Sequence, residues 1–270
     1  MPELPEVQTV LDGLQSVLQD RMITGLECYY PGTLIQGERM VVSPFPARVQ
    51  QFQRRGKYLL LHLDTAASLI IHLRMTGKLV YDADPQDAHK HERARILLQG
   101  GDAVRFIDPR TFGKIVLTAT ENLGSYLPSL GPEPLGEEFS AKYLQGAFAG
   151  KKMPVKNALL DQRIVAGLGN IYVCEILYRS GLRPDLPAGK ISLPRLKLIV
   201  SHTRDVLSES LAVGGTSVSD YRRIDDKSGE FQNFLRVYQK DTCPRGHAID
   251  NVRLGGRSSF YCPICQKIAR

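Results

Sequence analysis

Cys243-Pro244-Arg245-Gly246-His247, answered after fourteen intervening residues by Cys262-Pro263-Ile264-Cys265, decides how the C-terminal end folds. Three thiols and an imidazole at this spacing form a tetrahedral Cys3His set for one structural Zn2+, with every coordination position filled by protein. A hairpin too small to bury a core needs such a staple, and Gly246 and Pro263 suit its turns. The spacing therefore predicts a zinc-finger β-hairpin over residues 239–270; unrelated thiols beside a chance histidine are the alternative. Arg253 and Arg257 fall between the two ligand pairs and should project from the hairpin, where a guanidinium suits phosphate. Either could equally be a solvated surface charge.

The 270 residues suit two modest domains better than one. Apolar residues at 43% are enough for ordinary cores, and 23% charged residues argue against global disorder. The formal charge is +7, and residues 231–270 carry seven Lys/Arg against two acids, so this tail supplies +5 of it. A polyanionic partner fits that bias, although solubility alone would also account for it. Five cysteines, three of them in the terminal cluster, do not make a disulfide framework. Cys28 and Cys174, in apolar surroundings, read as buried thiols, and a reducing cytoplasm is the expected compartment. The acidic N-terminus lacks a signal-peptide core. The apolar runs near Tyr58–Leu63 and Ser68–Leu73 are too short to span a bilayer.

Val7, Val10, Leu11, Leu14, Val17 and Leu18 recur at helical spacing, which predicts an amphipathic helix over Glu3–Gln19. Short β-prone runs follow at Lys57–Leu63, Ser68–Leu73, Lys78–Tyr81, Ala94–Leu98, Ala103–Ile107 and Lys114–Thr118, separated by Gly and Asp. They read as an antiparallel sandwich or barrel. Pro128, Gly131, Pro132, Pro134 and Gly136 mark a linker. Residues 140–213 are helical in pattern with a break at Gly181–Pro187, Gly214–Gly229 reads as a mobile loop, and Phe231–Tyr238 as a short helix. The fold expected is multi-domain α+β: a helix plus antiparallel β-sandwich over 1–130, a linker at 131–137, a helical domain over 138–238 and the zinc hairpin over 239–270.

The chain opens Met1-Pro2-Glu3-Leu4-Pro5-Glu6-Val7. Removal of Met1 would expose a secondary amine at Pro2, which attacks an aldehyde-like carbon to give an iminium ion. At a helix start the dipole disfavours the protonated amine and leaves more free nucleophile. Glu3 and Glu6, three apart on one face, could each shuttle protons beside it. Pro and Glu are also favoured in a first turn for purely structural reasons.

The same opening resembles the start of the formamidopyrimidine-DNA glycosylase family of bacterial base-excision repair enzymes, and the likeness recurs in order along nearly the whole chain. Arg54-Arg55-Gly56-Lys57-Tyr58-Leu59-Leu60 resembles the segment of the family's catalytic lysine, and His72-Leu73-Arg74-Met75-Thr76-Gly77 its Met-containing turn. Asp108-Pro109-Arg110-Thr111-Phe112-Gly113 resembles its DNA-probing loop, Leu130–Leu135 its linker, and Asp161–Tyr172 its helix–two-turn–helix. The resemblance implies Pro2 as the Schiff-base nucleophile at the sugar C1′, Glu3 as the acid/base that opens the sugar ring, Lys57 as an acid in β-elimination, and Arg257 in δ-elimination and phosphate binding. It implies DNA-backbone contacts for His91, Arg110, Lys151, Lys156 and Asn170. It further implies that Met75, Arg110 and Phe112 fill the gap left by an everted nucleotide, and that Gly214–Gly229 closes over the flipped base. An enzyme acting on a base must flip it from the stack, and an apolar wedge offsets part of the stacking lost.

The implied partner is damaged double-stranded DNA, bound by a monomer. The implied activity is bifunctional: a glycosylase for 8-oxoguanine and formamidopyrimidines, and an AP lyase acting by β,δ-elimination. Two departures stand out: the family's usual zinc set is four cysteines, whereas His247 takes one place here and the first spacing is x3, and the loop Ser217–Lys227 does not fix lesion preference. An endonuclease VIII-type glycosylase for oxidised pyrimidines shares the Pro-Glu start, and a non-catalytic damage-binding protein could share the scaffold. Leu4 and the Met75/Arg110/Phe112 set favour the purine-lesion branch; intact Pro2, Glu3 and Lys57 favour an enzyme.

Overall fold

The structure, a computed structural model, describes residues 1–37, 43–87, 89–217 and 223–267. The chain divides into two compact units, Met1–Pro128 with Val213–Glu230, and Ser129–Ala212 with Phe231–Arg270.

The first unit begins with helix α1 (Leu4–Leu18), which buries Val7, Val10, Leu11, Leu14 and Leu18, the apolar stripe its spacing predicts. Nine strands follow among the described residues: β1 (Met22–Cys28), β2 (Leu34–Gln36), β3 (Ala47–Arg55), β4 (Tyr58–Leu63), β5 (Ala67–His72), β6 (Lys78–Asp82), β7 (Glu92–Leu98), β8 (Ala103–Ile107) and β9 (Lys114–Ala119). They hydrogen-bond in the order β2-β9-β5-β4-β3-β1-β7-β8-β6. Leu59, Leu61, Leu69, Ile71 and Leu117 from one half of this sheet share a single core with Leu79, Ile96, Val104 and Phe106 from the other half and with the buried face of α1. The sandwich reading thus holds as one sheet whose two halves enclose a common core. It was not antiparallel throughout, because β2 runs parallel to β9 at the edge. Strands β1 to β3 escaped the sequence reading. β3 (ARVQQFQRR) carries mainly polar residues on its open face, and Gly25 interrupts β1 where its register on β7 shifts.

Val213–Glu230 belongs with this unit rather than with the helices around it in sequence. The Tyr81 N–H donates to the Ile224 carbonyl (3.2 Å), Lys78 pairs with Asp226 (2.7 Å), and Ile224 joins the main core. Gly13 of α1 admits that contact, since a Cβ there would lie 2.5 Å from Ile224 Cγ2. Residues 218–222 of the expected closing loop lie outside the described residues. Cys28, expected buried, is exposed at the end of β1; Cys174 is buried.

The second unit holds α2 (Ala141–Phe148), capped by the Ser140 hydroxyl, then α3 (Val155–Leu160), α4 (Asn170–Arg179) and α5 (Leu193–Ala212). Between α3 and α4, the Gln162 amide donates to the Leu160 and Leu168 carbonyls and accepts from the Gly167 N–H, which satisfies the double turn from within. The hairpin β10 (Asp250–Leu254) and β11 (Arg257–Tyr261) packs into this same unit instead of standing apart. Its neighbour Gln266 donates to the Leu182 carbonyl, and Cys174 of α4 packs with Cys243 and Cys262. Phe231–Tyr238 is helical only as a 3-10 turn at Phe231–Phe234. The buried Glu175 carboxylate takes the next N–H groups, of Arg236, Val237 and Tyr238, at 2.9 to 3.0 Å, and a helix would need those donors for itself.

Candidate active site, nucleic-acid interface and metal centre

Pro2 and Glu3 are buried at the start of α1, where Glu3 is the N-cap and forms a reciprocal capping box with Glu6. The Glu6 carboxylate is 2% exposed and braced on both oxygens: Oε2 accepts the Glu3 N–H (2.8 Å) and Oε1 the Thr216 N–H (2.7 Å). Glu6 thereby ties the helix start to the Val213–Glu230 segment, while the Glu3 side chain answers it across the capping box. Lys57 is buried just after the tight turn at Gly56 (φ +56) that joins β3 to β4. Arg54 holds that turn, donating to the Gly56 carbonyl (3.0 Å) and to Gln8 Oε1 on α1 (2.9 Å).

His72, given no role by the sequence reading, lies where the charges of Arg74 and Lys57 reach it. It ends β5, buried on every residue, and its Nδ1 accepts the Arg74 N–H (2.9 Å). The ring therefore carries its proton on Nε2. Burial, reinforced by the charges of Arg74 and Lys57, pushes its pKa down to about 3. A neutral imidazole N–H donor thus sits within the electrostatic reach of Lys57. The only sequence signal for it was a histidine closing an otherwise apolar strand.

Met75, Arg110 and Phe112 come together on the same unit. Arg110 Nη1 lies 3.2 Å from the Met75 sulfur, and its guanidinium stacks 4.9 Å from the Phe112 ring centroid. Met75 and Phe112 are 43% and 49% exposed. Apolar groups this open are not core. Behind them is the wholly buried Asp108, whose carboxylate accepts from the Thr76 hydroxyl and from the N–H groups of Arg110 (3.2 Å) and Gly113 (2.7 Å). Gly113 lets this loop close, as a Cβ would meet Phe106 at 2.3 Å. The Asp108 N–H donates to the His91 carbonyl (2.9 Å), which links His91 to the wedge. The His91 segment is held in turn by buried Glu92, which accepts from Arg95 (2.8 Å), Arg105 (2.8 Å) and the His89 N–H (3.0 Å). Burial alone would raise the Glu92 carboxyl, but those partners hold it below the usual range.

On the second unit, Arg257 is exposed at the start of β11, directly after Gly255 and Gly256, both at positive φ. Lys151 is half-buried. Asn170 begins α4, and its amide donates to the Ser258 carbonyl (3.0 Å). Lys156 differs from expectation: its side chain is 0% exposed and its ammonium faces the hairpin. A lysine in this position meets protein, not an incoming phosphate.

Cys243, His247, Cys262 and Cys265 present ligand atoms that all lie within 4.8 Å of one another. His247 Nδ1 is 3.6 Å from Cys243 Sγ and 3.4 Å from Cys265 Sγ, and the two sulfurs are 4.0 Å apart. A tetrahedral ion with bonds of about 2.3 Å to sulfur and about 2.0 Å to nitrogen needs edges of about 3.8 and 3.5 Å. The donor set fits, with His247 ligating through Nδ1. Burial opposes ionisation of Cys243, yet N–H groups of Arg245 and His247 lower its pKa to about 6, which readies a thiolate at neutral pH.

The sequence matches the family profile of the formamidopyrimidine-DNA glycosylase N-terminal domain over residues 1–115, and that of the family's H2TH domain over residues 130–222. A formamidopyrimidine-DNA glycosylase of Paracoccus denitrificans is 42% identical, with 99% of this chain and 100% of the relative covered. One of Ruegeria pomeroyi is 41% identical at the same coverage. Among solved structures, a Lactococcus lactis FPG mutant in complex with a Fapy-dG containing DNA matches with TM-score 0.91 and 31% identity, covering 99% of this chain and all of that one. MutM in complex with carbocyclic 8-oxo-G containing DNA matches with TM-score 0.90 and 32% identity at equal coverage. The chain belongs to the formamidopyrimidine-DNA glycosylase family.

Proposed function

We propose that this protein is a DNA glycosylase and AP lyase that removes 8-oxoguanine and formamidopyrimidines from duplex DNA, acting as a monomer in a bacterial cytoplasm. The observation that carries the reading is the Met75–Arg110–Phe112 wedge: large, exposed, and held from behind by a buried carboxylate. Such a group has no packing purpose on its own unit, and it suits the hole left when a base leaves the stack.

In this reading Met1 is removed and the Pro2 amine attacks C1′ of the everted nucleotide. The C1′–N bond to the base breaks, its electron pair leaves with the base, and the sugar ring opens to an iminium on Pro2. Glu3 donates a proton to the ring oxygen as it opens. Loss of a C2′ proton then expels the 3′-phosphate, with Lys57 as acid, and Arg257 serves the second elimination and binds phosphate. His91, Arg110, Lys151 and Asn170 meet the backbone, and the neutral His72 N–H adds a donor near Lys57. One Zn2+ on Cys243, His247, Cys262 and Cys265 keeps the hairpin folded and takes no part in the chemistry.

Borohydride reduction tests this: it should trap the protein covalently on 8-oxoguanine:C duplex, and Pro2→Gly should abolish the adduct. An adduct that survives Pro2→Gly refutes the proline mechanism, and stronger excision from thymine-glycol duplex places the chain with the pyrimidine-specific enzymes.

A further inference from the structure

Lys156 sits in the first turn of α3 with its side chain 0% exposed. Its ammonium donates to the Ser258 carbonyl (2.8 Å) and to the Ser259 hydroxyl (2.5 Å), and Ser259 is itself fully buried. Asn170, at the head of α4, donates to the same Ser258 carbonyl. The hairpin turn also presses on α3: a Cβ on Gly255 would lie 2.3 Å from Asn157 Nδ2. Two helices therefore grip the carbonyl of the residue that immediately follows Arg257. Burial holds the Lys156 ammonium below the ordinary lysine range, with the Arg257 charge pushing the same way. A cation kept there at that cost is fixed by what it positions.

We infer that Lys156 is a positioning residue that acts through Arg257: by clamping the Ser258 carbonyl and Ser259 hydroxyl, it sets the direction in which the Arg257 side chain leaves the hairpin. It does not itself reach a phosphate. A lysine has three N–H donors, and two of them are already spent on β11.

This inference rests on the phosphate role given to Arg257 above. The test measures the affinity of the zinc-loaded protein for a duplex carrying a tetrahydrofuran abasic-site analogue across a salt series. Arg257→Ala should flatten the plot of log affinity against log salt by about 0.9, the loss of one phosphate contact. Lys156→Met, which keeps length and removes charge, should flatten it by a similar amount. The double variant should fall no further than either single one. A general loosening of the unit would add to the Arg257 loss, so this non-additivity separates positioning from a merely structural role. Ser259→Ala, which leaves the ammonium in place, should show the same dependence on Arg257 at smaller size and serves if Lys156→Met does not fold. An unchanged slope in Arg257→Ala removes the phosphate role and this inference with it. A responsive Arg257→Ala beside an unresponsive Lys156→Met, or a double variant that loses a second 0.9, overturns the inference alone.

Discussion

Asp108→Asn should disable the wedge without touching any residue that meets DNA. In the native loop one carboxylate oxygen accepts from Thr76 Oγ1 and the Arg110 N–H, while the other accepts the Gly113 N–H at 2.7 Å. An amide has one oxygen to offer. If it faces Thr76 and Arg110, the NH2 group points at the Gly113 N–H; if it flips, two donors are stranded instead. Asp108 is 0% exposed, so water does not relieve the mismatch. Leaving one buried donor unsatisfied costs about 1–3 kcal/mol, and at about 1.4 kcal/mol per decade the correctly set loop falls roughly 5- to 150-fold in population. Stopped-flow fluorescence of 2-aminopurine next to 8-oxoguanine reports insertion of the wedge. The slow phase should lose amplitude or rate within that range, and single-turnover excision should fall with it. Melting should drop by several degrees, since about 1 kcal/mol shifts a unit of this size by roughly 2–4 °C. A folded Asp108→Asn protein that everts and excises at the native rate would refute the argument that this carboxylate holds Met75, Arg110 and Phe112.

His72 makes stability sensitive to acid. Its folded pKa is depressed to about 3 from an ordinary 6.5, so between those values the unfolded chain binds the proton first and stability is lost as pH falls, by an upper limit on the order of 5 kcal/mol. His72→Gln should flatten the decline of urea-unfolding free energy between pH 6.5 and 3, and an equally steep decline would show that the ring is not buried neutral. At the metal centre, His247→Ala should lower bound zinc per chain and the melting temperature of the C-terminal hairpin, whereas His247→Cys should restore both; full zinc occupancy in His247→Ala would remove His247 from the ligand set.

Much of this molecule is legible in its sequence wherever one residue type answers to one physical demand. The α1 stripe and the Cys3His spacing are of that kind. Strands β4, β5, β8 and β9 are nearly continuous apolar runs because they are buried on both faces, and they announce themselves; β3 alternates into solvent and does not. The placement of Val213–Glu230 was hidden because its links, Thr216 to Glu6 and Ile224 to Tyr81, join residues more than a hundred positions apart through backbone groups, which leave no mark on composition. Lys156 misled for a related reason. The resemblance implies a phosphate contact for it, whereas its ammonium is buried against the Ser258 carbonyl, and burial leaves no mark on the sequence.

The buried polar groups of this protein follow one pattern. Glu6, Glu92, Asp108, Lys156 and Glu175 each lie at 3% exposure or less, and each hydrogen-bonds to backbone of a segment that carries function or leads to it. Charged side chains rooted in the helices and sheet hold the backbone of these segments through directed hydrogen bonds, beside whatever apolar contacts they make. Each such charge is costly to desolvate and would contribute less stability than a well-packed apolar residue in its place. What it gives in return is position: a wedge, a clamp or a hairpin held to within a hydrogen-bond length of one arrangement. Removing Glu92 or Glu175 alone strands the donors each one serves, so an apolar replacement at either should lower the urea-unfolding free energy together with activity.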